Sequence, residues 1–192
     1  MTKNYYIILH GHDFTLEDVP TGEKVIFIVR DPLDRFVSGF YTRIREGLPS
    51  HYNPMRACEK RAFSFFSTPN ELGTALSSVD EKLRKEAIYA MNNVNHIKTS
   101  YWDWFKNEDY FLSRIDDILF VGELEKLDSD FEELKDILGF PKSVELPRGK
   151  VATNKAPENT DRTLSSLAAE NLRCWFSEDY KFMKVLRSNK LI

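Results

Sequence analysis

Apolar residues follow two rhythms along the chain. Short unbroken runs occur at residues 5–9, within 24–29 after Lys24, and at 118–121, rich in β-branched and aromatic side chains. Such runs predict short strands, and being apolar on both faces suits parallel strands covered from both sides. Between them the spacing turns helical. Phe36, Val37, Phe40, Tyr41 and Ile44 define one face of a helix over 32–46. Asp31 is placed to cap it, Pro32 fits its first turn, and Gly47-Leu48-Pro49 stops it. Short helices are predicted over 58–66 and 69–77. Leu83, Ala87, Ala90, Met91, Val94, Ile97, Tyr101, Trp104 and Phe105 form one long stripe, read as the core face of a helix over 80–105. A helix over 129–138 ends at Gly139 and Pro141, and a last one spans 163–186. Pro141 precedes residues 142–162 and Pro147 and Pro157 interrupt them; the stretch also carries Arg148, Lys150, Lys155 and Arg162, so it reads as a basic loop. Strands alternating with helices predict an α/β fold, a small parallel sheet flanked by helices with right-handed connections. Residues 1–192 read as a single domain without repeats.

Composition narrows the class. At 42% hydrophobic and 13% aromatic, the 192 residues suffice for a packed core. A net charge of −3 gives no overall basic field of the kind a general nucleic-acid binder needs. A small anion needs only two or three Arg or Lys, so a local site stays open. The two cysteines, Cys58 and Cys174, read as free thiols in a reducing compartment. No apolar run approaches the roughly 18 residues of a membrane span, and the first residues lack a signal-peptide pattern. The expectation is a cytoplasmic, soluble chain.

The candidate chemistry gathers at strand ends. Arg30 follows the apolar run 24–29 and precedes a helix, the edge of an α/β sheet where ligands bind. Its forked donors match a phosphate. Ser38 adds a hydroxyl on the helix that follows. Spacing alone leaves a second reading open, in which Arg30 pairs with Asp31 or Asp34 and Ser38 merely packs. His10-Gly11-His12 ends the first apolar run. If the first two predicted strands are parallel neighbours, a His there opens on the same edge as Arg30 and can take a proton from a substrate hydroxyl.

Arg30-Asp31-Pro32-Leu33-Asp34-Arg35-Phe36-Val37-Ser38-Gly39-Phe40-Tyr41 resembles the Arg-Asp-Pro-x-x-Arg-x-x-Ser-x-x-Tyr segment of sulfotransferases that use 3′-phosphoadenosine 5′-phosphosulfate (PAPS), closest to the carbohydrate-directed group. The resemblance implies a P-loop-NTPase-like sulfotransferase fold and sulfuryl transfer from PAPS to a hydroxyl, with a saccharide as acceptor class and no metal. It implies that Arg30 and Ser38 bind the cofactor's 3′-phosphate. It also implies a catalytic His before the Arg, assigned to His12 after Gly11, with His10 as the fallback. Val121-Gly122-Glu123-Leu124-Glu125 followed by Asp130-Phe131 is similar to a strand-then-helix segment of the family whose role is structural. Arg148-Gly149-Lys150 and Thr153-Asn154-Lys155 resemble a late loop that closes over the nucleotide, with Lys155 as a phosphate contact. Tyr101, Trp102 and Trp104 either stack on a sugar or pack.

One family element is missing from the sequence. The 5′-phosphosulfate is held in the family by a Lys-x-Gly-Thr-Thr-like loop, whose backbone N–H groups cradle the anion. The eight glycines here include no adjacent pair, and no Lys-x-Gly-Thr occurs. A Gly-x-x-x-x-Gly-Lys loop is absent too, which disfavours a nucleoside-triphosphate enzyme. The resemblance therefore reads as N-terminally truncated: a fragment or truncated product, a degenerate homologue that binds a 3′-phosphonucleotide without turnover, or a site completed by another chain. On its own the chain is expected to transfer sulfate weakly or not at all.

Overall fold

A computed structural model describes residues 6–49, 51–148 and 160–192. Strands β1 (Val25–Val29) and β2 (Ile118–Glu123) pair in parallel, Val29 lying opposite Glu123. The helices are α1 (Pro32–Ile44), α2 (Ala57–Phe65), α3 (Pro69–Ala75), α4 (Glu81–Asn93), α5 (Trp102–Phe105), α6 (Glu108–Ser113), α7 (Leu127–Leu138), α8 (Ser166–Trp175) and α9 (Ser177–Ser188). This is a small α/β fold, a two-stranded parallel sheet flanked by helices. Among the described residues no helix is long and apolar enough to cross a membrane.

The chain divides into two units, each with its own core. The first comprises Met1–Arg30, Ser100–Pro147 and Lys181–Ile192. Val29, Tyr101, Phe105, Phe111, Val121, Phe182 and Leu186 are buried in its core, and Val25 and Phe27 pack on it from the same face of β1. Gly122 lies opposite Ile28, and a Cβ there would come 2.7 Å from Ile28 Cδ1, the movable end of a partly exposed side chain. The second unit comprises Asp31–Thr99 and Arg148–Tyr180. Phe36, Phe40, Phe66, Leu72, Met91, Ile97 and Leu172 are its buried core. The free cysteines are Cys58, half-buried, and Cys174, exposed.

Three sequence expectations change. Residues 6–9 form no strand: they lack regular structure, with Tyr6 97% and Leu9 92% exposed. A strand needs a neighbour for its N–H and C=O groups, and among the described residues the sheet contains β1 and β2 alone. The expected helix over 80–105 breaks after Asn93. The Asn92 and Asn93 amides donate back to the carbonyls of Ile88 and Tyr89, both at 2.8 Å, and His96 turns left-handed at φ 64°. Val94 and Ile97 stay buried because the turn folds them inward. The expected helix over 163–186 starts later, with Ser165 accepting from the Ala168 N–H at 3.2 Å, and divides at Phe176 into α8 and α9. Residues 142–148 form no helix or strand, in keeping with a loop, whereas Lys150 and Lys155 lie outside the described residues.

The His96 turn presses on α1. A Cβ at Gly39 would stand 2.8 Å from the His96 carbonyl oxygen. Because backbone, not a flexible side chain, blocks the space, the cost should exceed the helix propensity that alanine gains. Gly39→Ala is expected to lower stability by about 1–2 kcal/mol. A urea titration followed by circular dichroism checks this, and an unchanged midpoint would count against the packing described.

Candidate functional site

Arg30 stands just past the C-terminal end of β1, where the ladder to β2 stops. Its N–H and C=O are taken up by one side chain: the Tyr101 hydroxyl accepts from the Arg30 N–H at 2.9 Å and donates to the Arg30 carbonyl at 2.7 Å. The guanidinium is only partly engaged. Nε is buried without a hydrogen-bond partner and lies 3.6 Å from Glu125 Oε1, beyond hydrogen-bond reach. The pair is partly exposed, with side chains at 25% and 41%. A carboxylate thus sits beside donors that suit a phosphate, and a buried donor is left without a close acceptor.

His12 lies in the same unit. It occupies a turn closed by the Phe14 N–H to the Gly11 carbonyl at 3.2 Å, and it is exposed. Its carbonyl accepts the indole N–H of Trp104 at 2.8 Å. Residues 6–9 form no strand, so His12 is positioned by this turn and this hydrogen bond instead of a strand end. His10, the fallback base, stacks on Phe14 with ring centroids 3.6 Å apart.

The other candidates divide by role. Asp31 caps α1, accepting from the Leu33 N–H at 2.9 Å and the Asp34 N–H at 3.4 Å. The Tyr180 hydroxyl donates toward both its oxygens at 3.3 Å. Burial, then the Asp31 charge, pushes the Tyr180 hydroxyl up to about 12. Arg35 is held inside the second unit by the Thr99 carbonyl at 2.8 Å and Asp179 at 2.9 Å. Asp34 faces Arg162 at 3.9 Å. Ser38 is half-buried in the second turn of α1. Tyr41, at the end of the same segment, donates to the Asp161 carbonyl at 2.5 Å. The carboxylate beside the Arg30 guanidinium is that of Glu125.

Asp130 accepts from the Glu123 N–H at 2.6 Å and so fixes the end of β2. The Glu123 carboxylate meets Lys126 and, at 3.8 Å, Arg187. These contacts fit a structural role for that segment. Lys155 lies outside the described residues. Among the described residues no cluster of His, Cys, Asp and Glu is arranged to hold a metal ion. Sequence reasoning missed Glu125 as the neighbour of Arg30 and Tyr101 as its backbone partner, and no local pattern signals either.

A family model described as the sulfotransferase family matches residues 21–184. That span contains Arg30, Ser38 and Lys155 and begins after His12. No curated protein and no solved structure matches the chain.

Proposed function

Because the chain belongs to the sulfotransferase family, we propose that it transfers a sulfuryl group from PAPS to a hydroxyl acceptor of the saccharide class. In this reading Arg30 and Ser38 hold the 3′-phosphate, Lys155 adds a phosphate contact, and His12 is the general base. The carrying observation is Arg30: a guanidinium at the C-terminal end of a parallel strand, its backbone fixed and its buried Nε without a hydrogen-bond partner. That orphaned donor supports an anion as the occupant, one that would compete with the nearby Glu125 carboxylate for the guanidinium. When bound, PAPS supplies the sulfuryl group, and the leaving group is adenosine 3′,5′-bisphosphate. His12 takes the proton of the acceptor hydroxyl as the new S–O bond forms and the bond to the nucleotide's phosphate breaks. Such a transfer depends on an aligned nucleophile, in analogy with phosphoryl transfer. We place the reaction in the cytoplasm and treat residues 1–192 as one sulfotransferase-like domain, supported by a family match that runs through segments of both units.

A second reading keeps nucleotide binding and drops turnover. For residues 1–192 as given, it is the reading that requires no Lys-x-Gly-Thr loop. Two measurements separate the readings: calorimetric titration with adenosine 3′,5′-bisphosphate, and transfer of radiolabelled sulfate from PAPS to a panel of saccharides. Binding with transfer supports catalysis, and binding without transfer supports the second reading. No binding in either form sinks both.

A further inference from the structure

We propose that the segment Tyr101–Trp104 is a positioning device that sets Arg30 and His12 from one helical turn. This rests on the reading above, in which those two residues do the work. A residue past the last ladder pair of β1 must find other partners for its N–H and C=O, or leave them to water. Arg30 gives both to one hydroxyl, which donates at 2.7 Å and accepts at 2.9 Å. Holding both polar groups of a single residue restrains its backbone, and hence the direction in which its guanidinium leaves the chain.

The hydroxyl is carried on a packed ring. Tyr101 is 4% exposed, and its ring packs on Phe182 with centroids 5.2 Å apart. Three residues further on, the Trp104 indole donates to the His12 carbonyl at 2.8 Å. His12 sits in an exposed turn, and the indole ties this turn to a helical element. The clasp is fixed at both ends. The Ser100 N–H donates to Asp103 at 2.7 Å, and Lys106 pairs with Glu17 at 2.6 Å. Two of the aromatic side chains that invited a sugar-stacking reading, Tyr101 and Trp104, thus make directed polar contacts, two to Arg30 and one to His12.

Packing alone would place rings in this core but would not aim a hydroxyl and an indole N–H at those backbones. Tyr101→Phe and Trp104→Phe separate the two, since each keeps an aromatic ring and removes one polar hydrogen-bonding group. The readout is two-dimensional NMR of the full chain without ligand, following the Arg30 Nε–H signal and the His12 ring signals. Tyr101→Phe should shift Arg30 and leave His12 in place, and Trp104→Phe should do the reverse. Both variants shifting both residues alike, or neither shifting its own, would overturn the proposal.

Wild-type hydrogen exchange covers the case in which a variant does not fold. The Arg30 amide and the Trp104 indole should exchange slowly, as strand amides do, and rapid exchange at both would also overturn it. A last arm is titration with adenosine 3′,5′-bisphosphate. Tyr101→Phe should weaken binding roughly three- to tenfold, as expected when a neutral hydrogen bond that orients a binding residue is lost. Trp104→Phe should leave it unchanged. If the wild type binds no nucleotide, the functional reading fails while the ligand-free measurements still decide the clasp.

Discussion

Replacing Glu59 by Ala is expected to cost about 3–5 kcal/mol of stability, the range for breaking a buried ion pair and leaving its partner charge uncompensated. Arg43 and Glu59 are 1% and 0% exposed and meet through two parallel hydrogen bonds, at 2.9 Å and 2.7 Å. Glu59 also accepts the N–H groups of Arg56 at 3.0 Å and Asn95 at 3.1 Å. Arg43 reaches the carbonyls of Asn53 at 3.2 Å and Pro54 at 3.4 Å. One carboxylate therefore gathers α1, the segment before α2 and the turn after α4. Burial pushes the Glu59 carboxyl up, but the Arg43 hydrogen bonds and the two backbone N–H groups outweigh it and hold the group down at about 2.

The pH dependence follows from that direction. A carboxyl depressed on folding contributes stability above its unfolded value, near 4.3, and that contribution is lost as pH falls toward about 2. Urea titrations should show the wild type weakening between about pH 4 and 2 more steeply than Glu59→Gln. Identical acid limbs would contradict the assignment. Arg43→Met combined with Glu59→Leu should cost less than Glu59→Ala alone, because it buries no orphan charge.

What the sequence reveals of this fold depends on range. β1, β2, α1 and α7 are legible because their signals are local. Asp31 caps α1 with its own carboxylate, and Gly139 ends α7 in the left-handed conformation at φ 66°. The break after Asn93 is harder to read. The apolar stripe continues through Val94 and Ile97 with helical spacing, while a left-handed His96 and two asparagine side chains interrupt the backbone. The run at 6–9 has a strand's composition, but composition does not supply the neighbouring strand that pairing requires.

The site divides in the same way. Arg30 is legible because it follows an apolar run and opens a recognisable segment. Its surroundings are not. Tyr101 is 71 residues from Arg30 in sequence, and Trp104 is 92 residues from His12. Nothing in the spacing of the 80–105 stripe distinguishes an aromatic ring that packs from one that also carries a directed polar contact. The Arg35 guanidinium sits in the same segment as Arg30 and has the same chemistry. Only tertiary contacts show it committed to Thr99 and Asp179, leaving Arg30 as the arginine of that segment with a donor to spare.

Arg30→Ala is expected to weaken binding of adenosine 3′,5′-bisphosphate by about ten- to 150-fold, the loss of one charge-assisted contact of about 1.5–3 kcal/mol. Its Glu125 partner is 3.6 Å away and both side chains are partly exposed, so exchanging that carboxylate for a phosphate gives up little. The same geometry predicts that Glu125→Gln tightens binding, since it removes a negative charge beside the anion. Arg30→Lys should recover only part of the loss, because a point charge replaces a fork of donors. His12→Ala should leave affinity within about twofold, since a general base acts on the acceptor and not on the nucleotide's 3′-phosphate. The fold should survive Arg30→Ala, because Tyr101 grips the backbone of Arg30, which alanine retains. A calorimetric series with thermal melts beside it separates these effects. Equal losses in Arg30→Ala and His12→Ala would show the roles to be wrongly divided. Unchanged affinity in Arg30→Ala would remove the 3′-phosphate from this end of β1 altogether.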